Sequence, residues 1–355
     1  MGPEPAAGGS RPRIGLVLGA GGVLGAAWMT GALPALQGLL PGPVNDVDLI
    51  VGTSAGSVLA AALRCGAGID DLVAFQRGEA AGVLQDSGVV DVAAGPWPPA
   101  PHWGVGSPRL MLATLLTPHR VQPWVGASAW LPPGRARHTG VHAMVHALHS
   151  QAHQRGTSSG LPSSGLPSPG LPSSGLLSPG PPDWVERRTW IVAVDYDTGR
   201  RVIFGRDGAP RARLADAVVA SCSIPGWYEP AVISGRRYVD GGVRSPTSLG
   251  VLARAGVDEV YVLAPMASVV TGRPRRPYER LERQLRRLIT LALLREAQAL
   301  RADGISVTVL TPGPEDLAVM GVNLMDPRRR ELVLETSLRT SAALVRPAAD
   351  EPQVA

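Results

Sequence analysis

The chain of 355 residues contains no lysine, two cysteines and no histidine beyond position 153. Each scarcity excludes something. Cys65 and Cys222 alone build neither a disulfide framework nor a metal site of cysteine spacing, so a reduced, cytoplasmic setting is expected. All 34 basic residues are arginine, and with 43 glycines and 34 prolines this reads as the coding bias of a GC-rich gene. The net charge of +5 is therefore weak ground for a nucleic-acid partner, and none is expected. No apolar run is long enough to span a bilayer, and Met1 to Ser10 lacks the apolar centre of a signal peptide. Contact with lipid is expected from the surface, as peripheral association.

Glycine motifs stand where those features are missing. Leu49, Ile50 and Val51 read as a strand running into Gly52-Thr53-Ser54-Ala55-Gly56, a G-x-S-x-G pentapeptide. A serine exposed on a sharp strand-to-helix turn needs small neighbours, because Cβ branches there collide with the reacting centre. The following Ser57 to Leu63 reads as a buried helix whose N-terminal amides and dipole favour developing negative charge. The pattern is common by chance, and an idle Gly-rich turn remains open on these residues alone.

A second cluster, Gly19-Ala20-Gly21-Gly22-Val23-Leu24-Gly25, follows the apolar run Ile14 to Leu18. A strand feeding a glycine loop that opens a helix turns successive N–H groups toward one point, as stabilising an oxyanion requires; Gly21 and Gly22 are the expected donors. A dinucleotide-binding G-x-G-x-x-G loop would need glycine at Leu24, and no acidic residue ends a second strand about twenty positions on to hold a ribose.

The base is a harder question. All seven histidines lie between His102 and His153. A chain order of Ser, acid and then His, as in α/β-hydrolases, is excluded because no histidine follows. The remaining candidate is Asp240 in Val239-Asp240-Gly241-Gly242, since a partly desolvated carboxylate within reach of a serine can take its proton. Asp-Gly is also a favoured hairpin dipeptide, so a plain turn stays open.

Together, the oxyanion-type loop, the elbow and the late Asp-Gly-Gly resemble the patatin-like phospholipase family in order and spacing. Ala220 to Gly226 and Val192 to Gly199 look like the family too, so the resemblance runs from about Arg13 to Ala343 with an interruption. It implies a three-layer α/β/α fold with a mostly parallel central sheet, and a serine esterase or lipid acyl hydrolase of phospholipase A or lysophospholipase type. Carried over by motif, Ser54 is the nucleophile, Asp240 its dyad partner, and Gly21 with Gly22 the oxyanion hole. Gly19 and Gly25 complete the loop motif, Gly52 and Gly56 the elbow, and Gly241 with Gly242 the Asp-Gly-Gly turn. No metal or organic cofactor is implied, and the partner is a lipid or ester substrate. Ala20 and Leu24 depart from the family's all-glycine start and its arginine, which removes a charge but no N–H donor. A non-catalytic lipid-binding or regulatory protein on the same fold, and an acyltransferase, are the alternatives.

Organisation follows from composition. We expect a disordered tail over residues 1–12, one domain over 13–345, and a flexible tail over 346–355. The domain is interrupted at about 156–182, where Gly160-Leu161-Pro162-Ser163-Ser164 recurs with a five-residue period and a disordered insertion is expected. The Pro-rich stretch from Gly95 to Trp130 holds four of the eight tryptophans, as a lipid-facing cap or a packed lid. His138, His142, His146, His149 and His153 share a helix face that is expected to be solvated rather than metal-binding. After Arg273-Pro274-Arg275-Arg276, a basic helix is expected to carry Leu281, Leu285, Leu288 and Ala292 on its apolar face, with Glu279–Arg283 and Glu282–Arg286 as the i,i+4 pairs of a soluble surface helix.

Overall fold

The computed structural model describes residues 11–79, 83–84, 97–158, 184–268 and 277–345. The expectations for residues 1–10, 159–182, 273–276 and 346–355 lie outside the described residues. Eight strands form one sheet: β1 (Ile14–Leu18), β2 (Leu49–Thr53), β3 (Thr189–Asp195), β4 (Arg201–Phe204), β5 (Ala231–Ile233), β6 (Arg236–Asp240), β7 (Glu259–Leu263) and β8 (Ser306–Leu310). Their order is β5-β6-β3-β2-β1-β7-β8, with β4 on β3. The pairs β1–β2, β1–β7, β2–β3 and β7–β8 are parallel.

Alternation along the strands divides two cores. Leu16 and Leu18 of β1, Ile50 of β2 and Ile191 of β3 face one layer, while Val17, Val51 and Val192 face the other. The first layer contains α1 (Gly22–Gln37), α2 (Ala55–Arg64), α3 (Ile69–Arg77), α6 (Thr139–Ser158), α7 (Leu214–Cys222) and α10 (Arg330–Val345). The second is built mainly by α8 (Pro277–Ala302) and the 3-10 turn Leu249–Arg254. Helices α4 (Pro108–Leu116) and α5 (Pro123–Ser128) form a cap over Val194, Tyr196 and Val239, and α9 (Pro314–Met320) packs beside α10. This is the expected sheet between two helical layers.

β3 explains how distant motifs meet. It pairs with β2 through Thr189 to Val192, with β4 through Ile191 to Val194, and with β6 through Ala193 to Asp195. A strand has two edges, and only β2 and β6 occupy non-overlapping positions, so they share an edge and meet end to end. Thr53 lies opposite Val192 and Asp240 opposite Ala193, successive residues of β3. The carboxyl ends of β2 and β6 are thereby brought together although 187 positions separate them.

Two helices differ from expectation. On α8 the buried positions are Arg286, Thr290, Leu293, Ala297 and Leu300, whereas Leu285, Leu288, Leu291 and Leu294 are exposed. The core selects this face because Arg286 can satisfy its guanidinium there: Nε donates to Glu282 at 2.8 Å and Nη1 to the Pro265 carbonyl at 3.0 Å. The side chains of Glu279 and Leu281 lie outside the described residues. Among the histidines of α6 only His146 and His153 are well exposed, because Val141, Val145 and Leu148 turn the others toward α7 and its neighbours.

Candidate active site

Ser54 sits between β2 and α2 at φ 53° and ψ −124°. A non-glycine residue in that conformation stores of order 1–3 kcal/mol of strain, so its surroundings must hold it. They do so through three groups. Its N–H donates to Ser221 Oγ at 2.9 Å, and that hydroxyl donates in turn to the Val192 carbonyl at 2.6 Å. Its carbonyl accepts from the Ser57 N–H at 2.7 Å and from the Ser57 hydroxyl at 2.6 Å. The elbow glycines are sterically required: a Cβ on Gly52 would lie 2.6 Å from Ser57 Cα, and one on Gly56 would penetrate the Leu18 carbonyl.

That close approach of Gly56 presses α2 onto the loop after β1. There the N–H groups of Gly19 and Ala20 donate to the Leu263 and Pro246 carbonyls, and those of Leu24 and Gly25 to the Leu324 and Gly21 carbonyls. Between them, the N–H groups of Gly21 and Gly22 have no hydrogen-bond acceptor among the described residues. Gly22, at φ 60°, shares a cavity wall with Ser54. Gly21 lies behind it, where a Cβ would come within 2.7 Å of Pro265 Cγ, and it is not part of that wall.

Asp240 ends β6 and is not in a hairpin turn; the β5–β6 turn is at Ser234 and Gly235, six and five residues earlier. Gly241 packs under the Val192 carbonyl, and a Cβ on Gly242 would lie 3.2 Å from Ala20 Cβ, so all three motifs converge. The carboxylate accepts from the Gly242 N–H at 2.7 Å, with the Ser54 side chain beside it. Ser54 and Asp240 are each 5% exposed. Burial raises the Asp240 pKa to about 6, and the neighbouring Ser54 side chain and Gly242 N–H oppose that rise without cancelling it.

The cavity encloses about 840 Å³, part of it open to solvent. Val23 and Ala26 of α1, Val58 of α2, Phe75 of α3 and Met144 of α6 make its walls apolar; Ser54, Gln76, His138 and Arg330 supply its main polar groups. His138, expected on a solvated helix face, instead precedes α6 and lines the cavity. Its Nε2 is 2.9 Å from the Cys222 carbonyl, its ring stacks on Tyr228 at 3.6 Å, and burial lowers its pKa to about 4. Burial keeps it neutral at neutral pH, and the Cys222 carbonyl opposes that shift without reversing it. His142 meets Asp216 at 3.1 Å and His149 the Trp184 carbonyl at 3.2 Å. Among the described residues no group of three or more His, Cys, Asp or Glu is gathered to hold a metal. Cys65 and Cys222 are free and buried; burial pushes the Cys65 thiol up to about 12 and raises Cys222 as well.

Sequence reasoning did not assign Ser221, His138 or Arg330 to the site. Ser221 lies in the quoted run Ala220 to Gly226 without a role there, and no local signal marks the other two.

The family model for patatin-like phospholipase matches residues 16–253, which include Gly19 to Gly25, Ser54 and Asp240. Among solved structures, the crystal structure of VipD from Legionella pneumophila is similar at 15% identity and a TM-score of 0.41, over 95% of this chain and 67% of that one. Type III effector protein ExoU is similar at 16% identity and a TM-score of 0.33, over 94% of this chain and 53% of that one. Among the described residues no helix is long and apolar enough to cross a membrane. With the three motifs packed against one another and the family model covering two thirds of its length, the chain belongs to the patatin-like phospholipase family.

Proposed function

We propose that the protein is a serine-dependent lipid acyl hydrolase in which Ser54 and Asp240 act as a dyad. The reading rests chiefly on one observation: Ser54, held in a strained elbow, stands beside a buried carboxylate whose pKa is raised by burial to about 6. A carboxylate made more basic by desolvation is suited to general-base work near neutral pH. Asp240 takes the Ser54 proton as Oγ attacks the ester carbonyl, and the oxyanion meets the N–H groups at Gly21 and Gly22. Collapse expels the alcohol, which receives the proton from Asp240 and leaves an acyl-serine. Water, deprotonated by the same carboxylate, then releases the fatty acid. The apolar walls fit an acyl chain, with Arg330 the charged lining residue. No step calls for a metal or organic cofactor.

The test is fluorophosphonate labelling and p-nitrophenyl ester hydrolysis by the wild type, Ser54→Ala and Asp240→Asn. The expected result is labelling of wild type at Ser54 and loss of turnover in both variants. A folded wild type that neither labels nor hydrolyses any ester would make the protein a lipid binder; acyl transfer to added alcohol in preference to water would make it a transferase.

A further inference from the structure

We propose that the cap formed by residues 97–137 is an interfacial surface that seats on an anionic phospholipid bilayer beside the cavity. The inference deepens the hydrolase reading by naming an aggregated lipid substrate.

Four observations carry it. First, among the described residues the cap holds the most exposed large apolar side chains as a group: Trp103 is fully exposed, Trp97 72%, Leu116 71%, Leu115 62% and Trp124 58%. A solvated surface normally scatters such residues singly, and a cluster marks an interaction site. Second, these residues belong to one structural unit. The His102 N–H donates to the Pro133 carbonyl at 2.9 Å and that of Ser107 to Ala129 at 3.2 Å, which sets Trp103 near Trp130. Helices α4 and α5 touch at Thr114 and Gly126. Third, the charge is of one sign. No Asp or Glu occurs from Val92 to Pro182, while Arg109, Arg120, Arg135 and Arg137 are exposed. The carboxylates facing the cap from neighbouring elements are already paired, Glu229 with Arg137 and Asp197 with Arg237. Tryptophan at a headgroup boundary, leucine below it and arginine on anionic phosphates are what an interfacial surface requires. Fourth, the cap adjoins the cavity: the Ala136 N–H donates to the Trp227 carbonyl at 3.2 Å and the Glu229 N–H to Ala136 at 2.9 Å, flanking Tyr228 of the cavity wall.

The exposed leucines of α8 are the competing surface, and the experiment includes them. Flotation of the full chain carrying Ser54→Ala is measured with phosphatidylcholine vesicles and with vesicles containing about 30% phosphatidylglycerol, whose surface is negatively charged. Using the Ser54→Ala chain reads binding apart from catalysis, so failure of the hydrolase reading and failure of this one are distinguishable. The parent should float with the anionic vesicles and less with the neutral ones. Leu115→Asp with Leu116→Asp should reduce partitioning at least about tenfold and Trp103→Ala with Trp130→Ala severalfold, while Leu288→Asp leaves it unchanged. Circular dichroism and melting temperature establish that each variant is folded. Absence of parental binding to either vesicle, cap variants that bind like the parent, or loss only in Leu288→Asp would overturn the proposal. So would a parent that dimerises in solution and is returned to a monomer by the cap variants, since the occupant would then be a second copy of the chain.

Discussion

The elbow and the cap lie within one fold, yet the elbow is buried and the cap presents bulk to solvent. Around Ser54 the backbone is fixed by absence of side chains: Gly52, Gly56 and Gly241 sit where a Cβ would strike another main chain. The cap is tied down by main-chain bonds at His102, Ser107 and Ala136 and by side chains, with Arg237 bonding Asp197 and donating to the Gly106 carbonyl at 2.9 Å, and Ser107 capping α4. It buries Leu110 and Val125 but leaves its tryptophans outside. Where chemistry needs one geometry the chain leaves no room to move, and where a surface must meet something else it leaves bulk exposed.

The sharpest way to test the first half of that contrast is to remove the reacting groups without touching the backbone. Ser54→Ala and Asp240→Asn are each expected to lower ester turnover at least about ten-thousandfold with unchanged circular dichroism, since members of a catalytic unit fail together. A variant retaining more than about one percent of the rate would break the dyad reading, as two partners of one proton transfer cannot be that unequal.

Next in size is the steric claim. Gly56→Ala places a methyl group inside the van der Waals envelope of the Leu18 carbonyl, and no flexible side chain can yield there. Destabilisation of more than about 3 kcal/mol or loss of soluble protein is expected, measured by urea unfolding. Stability within about 1 kcal/mol of wild type would refute the idea that the elbow is defined by main-chain contact.

How far these two regions could be foreseen follows from the same physics. A main-chain collision can be satisfied by glycine alone, so Gly19, Gly52, Gly56 and Gly241 carry the site into the sequence as fixed letters. The alternation of Leu16, Val17 and Leu18 carries the sheet in the same way. The cap's contacts join segments distant in sequence, such as Ser107 with Ala129 and Ala136 with Trp227, and exposure of Trp103 has no periodicity to reveal it. The face of α8 was misjudged for a related reason: burial of Arg286 depends on the Pro265 carbonyl, 21 positions away, which no helical pattern contains. Ser221 has no assigned role in the sequence because its partners Ser54 and Val192 become neighbours only once β2 pairs with β3.

Charge offers a smaller test inside the site. Asp240 has its pKa raised from 3.8 to about 6, so its contribution to stability is present below about pH 4 and lost as pH rises through about 6. His138 has its pKa lowered from 6.5 to about 4, so its contribution is present above about pH 6.5 and lost as pH falls through about 4. In the shared window the two slopes, each about 1.4 kcal/mol per pH unit, have opposite signs, and the wild type should show nearly flat stability there. Asp240→Asn should unmask stability rising with pH and be more stable than wild type by about 2–3 kcal/mol at pH 8. Urea midpoints across pH 4–7 check both. Hydrolysis, needing the ionised carboxylate, should rise with pH through about 6.

Smaller still is the effect of Ser221, which positions the elbow without touching substrate. Ser221→Ala leaves the buried Ser54 N–H without its acceptor, at a cost of about 1–3 kcal/mol. If the hydroxyl holds the nucleophile in place, kcat falls about tenfold while KM hardly moves, and the cysteine variant recovers part of the loss. Equal changes in kcat and stability with no recovery by Ser221→Cys would reduce it to a structural bond.

The least expected change completes the contrast between elbow and cap. Trp103 is fully exposed, so Trp103→Ala removes no buried contact and should alter stability by less than about 0.5 kcal/mol. Turnover of a monomeric, water-soluble ester should be unchanged as well, because the cavity walls do not include it. A stability loss above about 1 kcal/mol would mean that the cap tryptophan is covered in the folded chain, and the division between a closed elbow and an open cap would no longer describe the molecule.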